Sequence, residues 1–150
     1  MTYYIHKLEE DYEIPYIPTK GYNPRVLFNS DDKYNQAMKY AALGGSLDLV
    51  KFFINKGAKN WDQGMYGASL GGSSDLVKFF INKGANDWDW GMYHAAKGGH
   101  KDLVKYFIQK GAKEWDLGAG GAEEGGHKDL VEFFKQKLLL NLSNNVYLYY

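Results

Sequence analysis

The stretch "WDWGMYHAAKGGHKDLVKYFIQKGAKEWD", residues 88 to 116, opens and closes on the same Trp-Asp pair. The pair stands at Trp61-Asp62, Trp88-Asp89 and Trp115-Asp116, always 27 positions apart, and one further step back falls on Tyr34-Asn35. Doubled glycines keep the same step, at Gly44-Gly45, Gly71-Gly72, Gly98-Gly99 and Gly125-Gly126. Asp-Leu-Val does so too, starting at Asp48, Asp75, Asp102 and Asp129. Four units therefore span roughly residues 34 to 140, and agreement over so many columns marks an internal repeat.

Each unit reads as two helices. The first is expected to start at the Asp after Trp, because an Asp N-cap accepts a bond from a free backbone N–H. It runs two to three turns and stops at the glycine pair, since glycine takes the left-handed conformation that closes a helix. The second starts at Ser46, Ser73, His100 or His127, with an Asp two positions later favouring the positive helix end. In "DLVKFFINKG" Leu76, Val77, Phe80 and Ile81 share one face and Phe79 flanks it, while Asp75, Lys78 and Lys83 remain for water. Gly57, Gly84 and Gly111 close this helix in the first three units.

So short a helix pair cannot bury its apolar face alone; stacked copies make one core, and the terminal copies should be atypical. In the fourth unit Ile becomes Lys135 and the closing glycine becomes Leu138, so "VEFFKQKLLLNLSNN" predicts a longer last helix that covers the end. At the front, "NPRVLFNSDD" reads as a half unit with Asn23 as cap and Pro24 at the first helical position. "TYYIH" and "EIPYI" read as short extended segments. The expected organisation is one solenoid: a capping segment over 1–33, repeats over 34–60, 61–87, 88–114 and 115–142, and a tail over 143–150.

Bulk composition narrows the class. A chain of 150 residues suits one domain. It has no cysteine, which removes disulfides and thiolate metal sites. Lys plus Arg and Asp plus Glu balance at 18 each, so the broad positive field of a nucleic-acid binder is missing. No membrane span and no secretory signal is read, and the expectation is an intracellular, cytoplasmic, soluble protein. The 13 Tyr, 8 Phe and 4 Trp supply ample apolar area for a core.

"MYHAAKGGHKDLVKYFIQKGA" resembles the ankyrin repeat, with its Ala-Ala, Gly-His, Val-containing apolar pair, apolar triplet and closing Gly-Ala. The likeness recurs in all four units, about two thirds of the chain, and weakens in the fourth. The usual unit is longer, and its Thr-Pro-Leu-His opening is replaced by segments such as "WGMY". The resemblance implies an all-α ankyrin-type solenoid whose β-hairpin fingers are reduced to tight loops, since only Asn86 and Asp87 lie between Ala85 and Trp88. It is similar to compact, aromatic-rich arrays encoded by giant DNA viruses.

The column Tyr34, Trp61, Trp88, Trp115 reads as repeat-to-repeat packing over the shortened loops rather than as a strip for a peptide. His100 and His127 share their column with Ser46 and Ser73 and lie a full repeat apart, so a capping and loop-bonding role is read and no metal site. No nucleophile, acid–base pair or phosphate loop is read, and neither enzyme activity nor a cofactor is expected. Glu123 and Glu124 are adjacent on a helix and point apart.

Specificity is expected in the columns that vary while stacking columns hold. On the first helix these are Gln36, Gln63, Trp90, Leu117; then Tyr40, Gly67, His94, Gly121; then Leu43, Leu70, Lys97, Glu124. Their i, i+4, i+7 spacing puts them on one helical face. In ankyrin arrays this face is concave and takes the partner. The expected function is a noncatalytic, monomeric protein–protein interaction module with an unidentified protein partner on that face. The other reading is a self-associating structural protein that uses its apolar, aromatic tail, "VYLYY".

Overall fold

The computed structural model describes residues 32–147. Among these there is no strand, and the helices follow in series: α1 (Lys33–Leu43), α2 (Leu47–Asn55), α3 (Trp61–Gly71), α4 (Ser74–Lys83), α5 (Trp88–Gly98), α6 (Lys101–Lys110), α7 (Trp115–Gly125) and α8 (Lys128–Tyr147). No helix among the described residues is long and apolar enough to cross a membrane. The half unit at Asn23-Pro24 and the extended segments at "TYYIH" and "EIPYI" lie outside the described residues. The chain forms two compact units with the boundary between Ala85 and Asn86. The first contains α1–α4 and the second α5–α8.

Within each unit the same packing recurs. In the first, α1 packs on α2, α3 on α4, and α1 on α3; in the second, α5 packs on α6, α7 on α8, and α5 on α7. The core is written in columns. Met38, Met65 and Met92 are fully enclosed on the first helices, and Phe80, Phe107 and Phe134 on the second. Leu76, Val77, Leu103 and Val104 complete the inward face of α4 and α6, while Ile81 is half-buried. Gly64, Gly91 and Gly118 make room for the phenylalanines: a Cβ on Gly91 would lie 2.5 Å from Phe107 Cε1, and one on Gly118 2.5 Å from Phe134 Cε1.

The Trp-Asp pair works differently from the sequence expectation. The first helices start one residue earlier, at Trp61, Trp88 and Trp115. Their caps are the residues before the tryptophans. Asn60 accepts from Gln63 N at 3.2 Å, and Asp87 from Trp90 N at 3.3 Å. The Asp after Trp is thus inside the first turn, and at Asp89 it reaches forward to the next repeat. Asp89 Oδ1 accepts from the backbone N–H groups of Lys113 (2.7 Å) and Glu114 (2.9 Å). Asn35 does the same for Lys59 (2.8 Å) and Asn60 (2.9 Å), while its amide donates to Asp32. A carboxylate or amide oxygen here satisfies two donors that the loop cannot pair internally.

The tryptophans are half-buried and lie against the end of their own repeat's second helix. Trp61 Cδ1 is 3.7 Å from the place a Gly84 side chain would take, and Trp88 Cδ1 is 3.8 Å from that of Gly111. Lys83 Nζ stands 6.0 Å over the Trp61 ring and Lys137 Nζ 5.8 Å over that of Trp115. The expected repeat-to-repeat packing is thus replaced, at the three tryptophans, by packing within one repeat: each opens its own first helix and lies against the end of the second.

The doubled glycines meet two separate demands, where the sequence suggested one. The second of each pair closes the helix with a left-handed backbone: Gly72 has φ 81°, Gly126 φ 74°. At Gly71 and Gly125 the first allows a close approach. A side chain on Gly71 or Gly125 would strike the carbonyl of Leu43 or Lys97 on the preceding first helix. Only glycine admits a neighbouring backbone so near.

Ser46 and Ser73 cap the second helices, accepting from Leu49 N at 3.3 Å and Leu76 N at 3.4 Å. The histidines in that column do not act as caps through their side chains at His100. His127 instead turns back, its Nε2 3.1 Å from the carbonyl of Lys97. Since a carbonyl only accepts, the proton sits on Nε2 in this contact. The last helix is longer, as expected, at 20 residues. Residues 139–145 do not fold onto the core: Leu139, Leu140 and Leu142 are 65 %, 59 % and 63 % exposed.

Candidate functional site

In the second unit α5 and α7 lie side by side, and residues 27 apart face each other across their junction. Trp90, Tyr93 and Lys97 on α5 correspond to Leu117, Gly120 and Glu124 on α7. Tyr93 is a large ring and Gly120 has no side chain; nothing lies within 4 Å of where a Gly120 Cβ would be. The missing side chain leaves an open recess of about 530 Å³, walled by Trp90, Tyr93 and Leu117 and edged by Glu114, Asp116 and Glu124.

The aromatic wall is built on one helical turn. Trp90 and Tyr93 meet edge to face with centroids 5.0 Å apart, and His94 lies 5.0 Å from Tyr93 and 6.2 Å from Trp90. The His94 ring is pinned by Nδ1, 2.8 Å from the Trp90 carbonyl, so that nitrogen carries the proton. Trp90 is 44 % exposed, in contrast to the half-buried Trp61, Trp88 and Trp115.

The polar edge is tied across the two helices. Tyr93 donates its hydroxyl to Glu124 Oε2 at 2.7 Å, and Lys97 Nζ bonds the same oxygen at 2.8 Å. Lys97 also stands 5.9 Å over the Tyr93 ring. The Lys97 and Tyr93 hydrogen bonds hold the Glu124 carboxyl below its ordinary value. The bond to Glu124 raises the Lys97 ammonium. Desolvation first, and the bond to Glu124 next, raise the Tyr93 hydroxyl. The pair is solvent-exposed, with side chains 39 % and 54 % accessible, so it orients the site more than it stabilises the fold.

Of the residues singled out from sequence, Trp90, His94, Lys97, Leu117 and Glu124 come together here. Gln36, Tyr40, Leu43, Gln63 and Leu70 lie half-buried on α1 and α3 of the first unit. Two members of the second variable column are not surface positions. Gly67 and Gly121 are buried where first helices touch, against the carbonyls of Lys39 and Tyr93. Tyr93 was missed. Its own column, Lys39, Tyr66, Tyr93, Gly120, varies as strongly as those chosen, and its change from a ring to no side chain is what opens the recess. Among the described residues no group of His, Asp and Glu is arranged to hold a metal ion.

Comparison with protein-family models, with curated proteins and with solved structures yields no match.

Proposed function

We propose that this chain is a noncatalytic protein-interaction module made of ankyrin-type repeats, taking its partner on the first-helix face around the α5–α7 recess. One observation carries the reading: Trp90 stands out as an exposed indole on helices otherwise locked by glycine approaches and backbone clamps. A large aromatic on a rigid support contributes contact area with little ordering cost, and such residues dominate interface energies. The neighbouring ion pair and hydroxyl give a polar rim to that apolar centre. The reading takes the protein to act inside the cell, as a monomer and without a cofactor.

The test is capture by the wild-type chain against capture by Trp90→Ala combined with Lys97→Glu. Loss of the partner in the variant supports the assignment; equal capture of the same proteins removes the recess from the interface.

A second reading is favoured by a different observation. Leu139, Leu140 and Leu142 are exposed on α8, and an apolar helix face of this kind suits self-association. Light scattering of the full chain and of a chain ending at residue 142, each with and without Leu139→Gln, separates the two. Monomers throughout exclude self-association.

A further inference from the structure

We propose that the α5–α7 recess receives an arginine side chain of the partner protein, its guanidinium laid on the Trp90–Tyr93 shelf and paired with the Asp116 and Glu124 carboxylates. This rests on the interaction reading above and names the chemistry that the site selects.

Charge sets the sign of the ligand. Glu114, Asp116 and Glu124 edge the recess, and Lys97 is bonded there to Glu124. One ammonium among three carboxylates leaves the recess negative. An anionic side chain would meet like charge, and a purely apolar one would strip water from carboxylates without replacing the bonds they lose. A cation gains from both walls.

Lys97 shows the geometry in miniature. Its ammonium already lies over the Tyr93 ring and against Glu124. Both hydrogen bonds from α5 fall on Oε2 of Glu124, so the incoming guanidinium would pair with Oε1. Trp90 offers the ring best suited to a cation, since indole is the strongest cation–π partner among the side chains. Arginine fits better than lysine because its planar fork stacks on an aromatic face while its N–H groups reach carboxylates at the edge. Leu117 lies across from Trp90 and borders the methylene stem.

The test uses the full chain and acetyl-arginine methylamide as probe, followed by the indole N–H signals of its 4 tryptophans in a two-dimensional NMR titration. The Trp90 signal should move saturably, while those of Trp61 and Trp115 stay. Acetyl-citrulline methylamide, which keeps the shape and lacks the charge, should leave Trp90 in place. Trp90→Leu monitored through Gly120 N–H, or Asp116→Asn monitored through Trp90, should each weaken binding roughly two- to fivefold, as a single exposed cation–π or ion-pair contact would. Added salt should weaken it further. No movement of Trp90, or equal movement with citrulline, overturns the arginine assignment. Selection of random displayed peptides on wild type and on Trp90→Ala separates this from the interaction reading. Peptides that need Trp90 and carry no enriched arginine refute the arginine inference alone; no peptide that depends on Trp90 refutes both.

Discussion

Gly120 and Gly121 are neighbours on α7 and meet opposite surroundings, so one substitution made at each isolates the helix approach. Replacing a helical glycine by alanine gains roughly 0.8–1.0 kcal/mol of helix propensity at either position. At Gly120 the new methyl group meets nothing within 4 Å. Gly120→Ala should therefore stabilise the chain by about that propensity gain. At Gly121 a Cβ falls well inside contact with the carbonyl oxygen of Tyr93, and 3.0 Å from its Cδ2. Ordinary contact needs roughly 3.5 Å, so α5 and α7 would have to part by about 1 Å. Overpacking of this kind costs about 1–3 kcal/mol, and a backbone carbonyl yields less than a side chain would. Propensity cancels in the comparison, and Gly121→Ala should be about 1–3 kcal/mol less stable than Gly120→Ala. Urea unfolding followed by circular dichroism measures both. Equal gains in stability would show that α5 and α7 do not touch at Tyr93 and would refute the close approach.

Gly91→Ala pushes a methyl group against Phe107, 2.5 Å away, and should destabilise the second unit. Combined with Phe107→Leu it should cost less than the sum of the two, with a coupling on the order of 0.5–3 kcal/mol in a double-mutant cycle; additivity would break the Phe-over-Gly pairing. The Glu124 and Asp129 carboxyls sit below their ordinary values, held first by hydrogen bonds from Lys97 and Lys101. A lowered folded-state value means that their contribution is present above the ordinary carboxylate range and is lost as pH falls through it. The urea midpoint should thus fall less steeply below about pH 4 in Glu124→Gln with Asp129→Asn than in wild type. Parallel curves would show that these pairs do not support the fold.

The sequence disclosed what repeats, and it concealed how the repeats touch. Periodicity located both helices of every unit, the glycine that closes each of them before α8, and the lengthened α8. It misplaced the Asp of the Trp-Asp pair because an Asp near a helix start is compatible with capping its own helix or reaching elsewhere, and only the offset between repeats distinguishes the two. The first glycine of each pair was credited to closure for the same reason: nothing in one chain's spacing reveals that Gly125 crosses the Lys97 carbonyl. His127 carries the pattern further, being spaced like a cap yet bonded to the preceding repeat. At the recess, Trp90 was visible as an odd residue in its column, and Lys97 and Glu124 as varying charges. Their union through Tyr93 was hidden, because it depends on an empty place at Gly120 rather than on any residue that stands there.

The 27-residue period is held within each unit by the residue that follows Tyr34 or Trp88: Asn35 and Asp89 each tie their own first helix to the next repeat's entry loop. Amide hydrogen exchange reads it at single residues. The N–H groups of Lys113 and Glu114 lie in an exposed loop and should be protected in the wild-type chain through Asp89 alone. In Asp89→Ala that protection should vanish, in Asp89→Asn it should persist as Asn35 shows it can, and Lys59 and Asn60 should be unaffected in both. Fast exchange at Lys113 and Glu114 in the wild-type chain, or protection that survives Asp89→Ala, would show that Asp89 does not hold the loop.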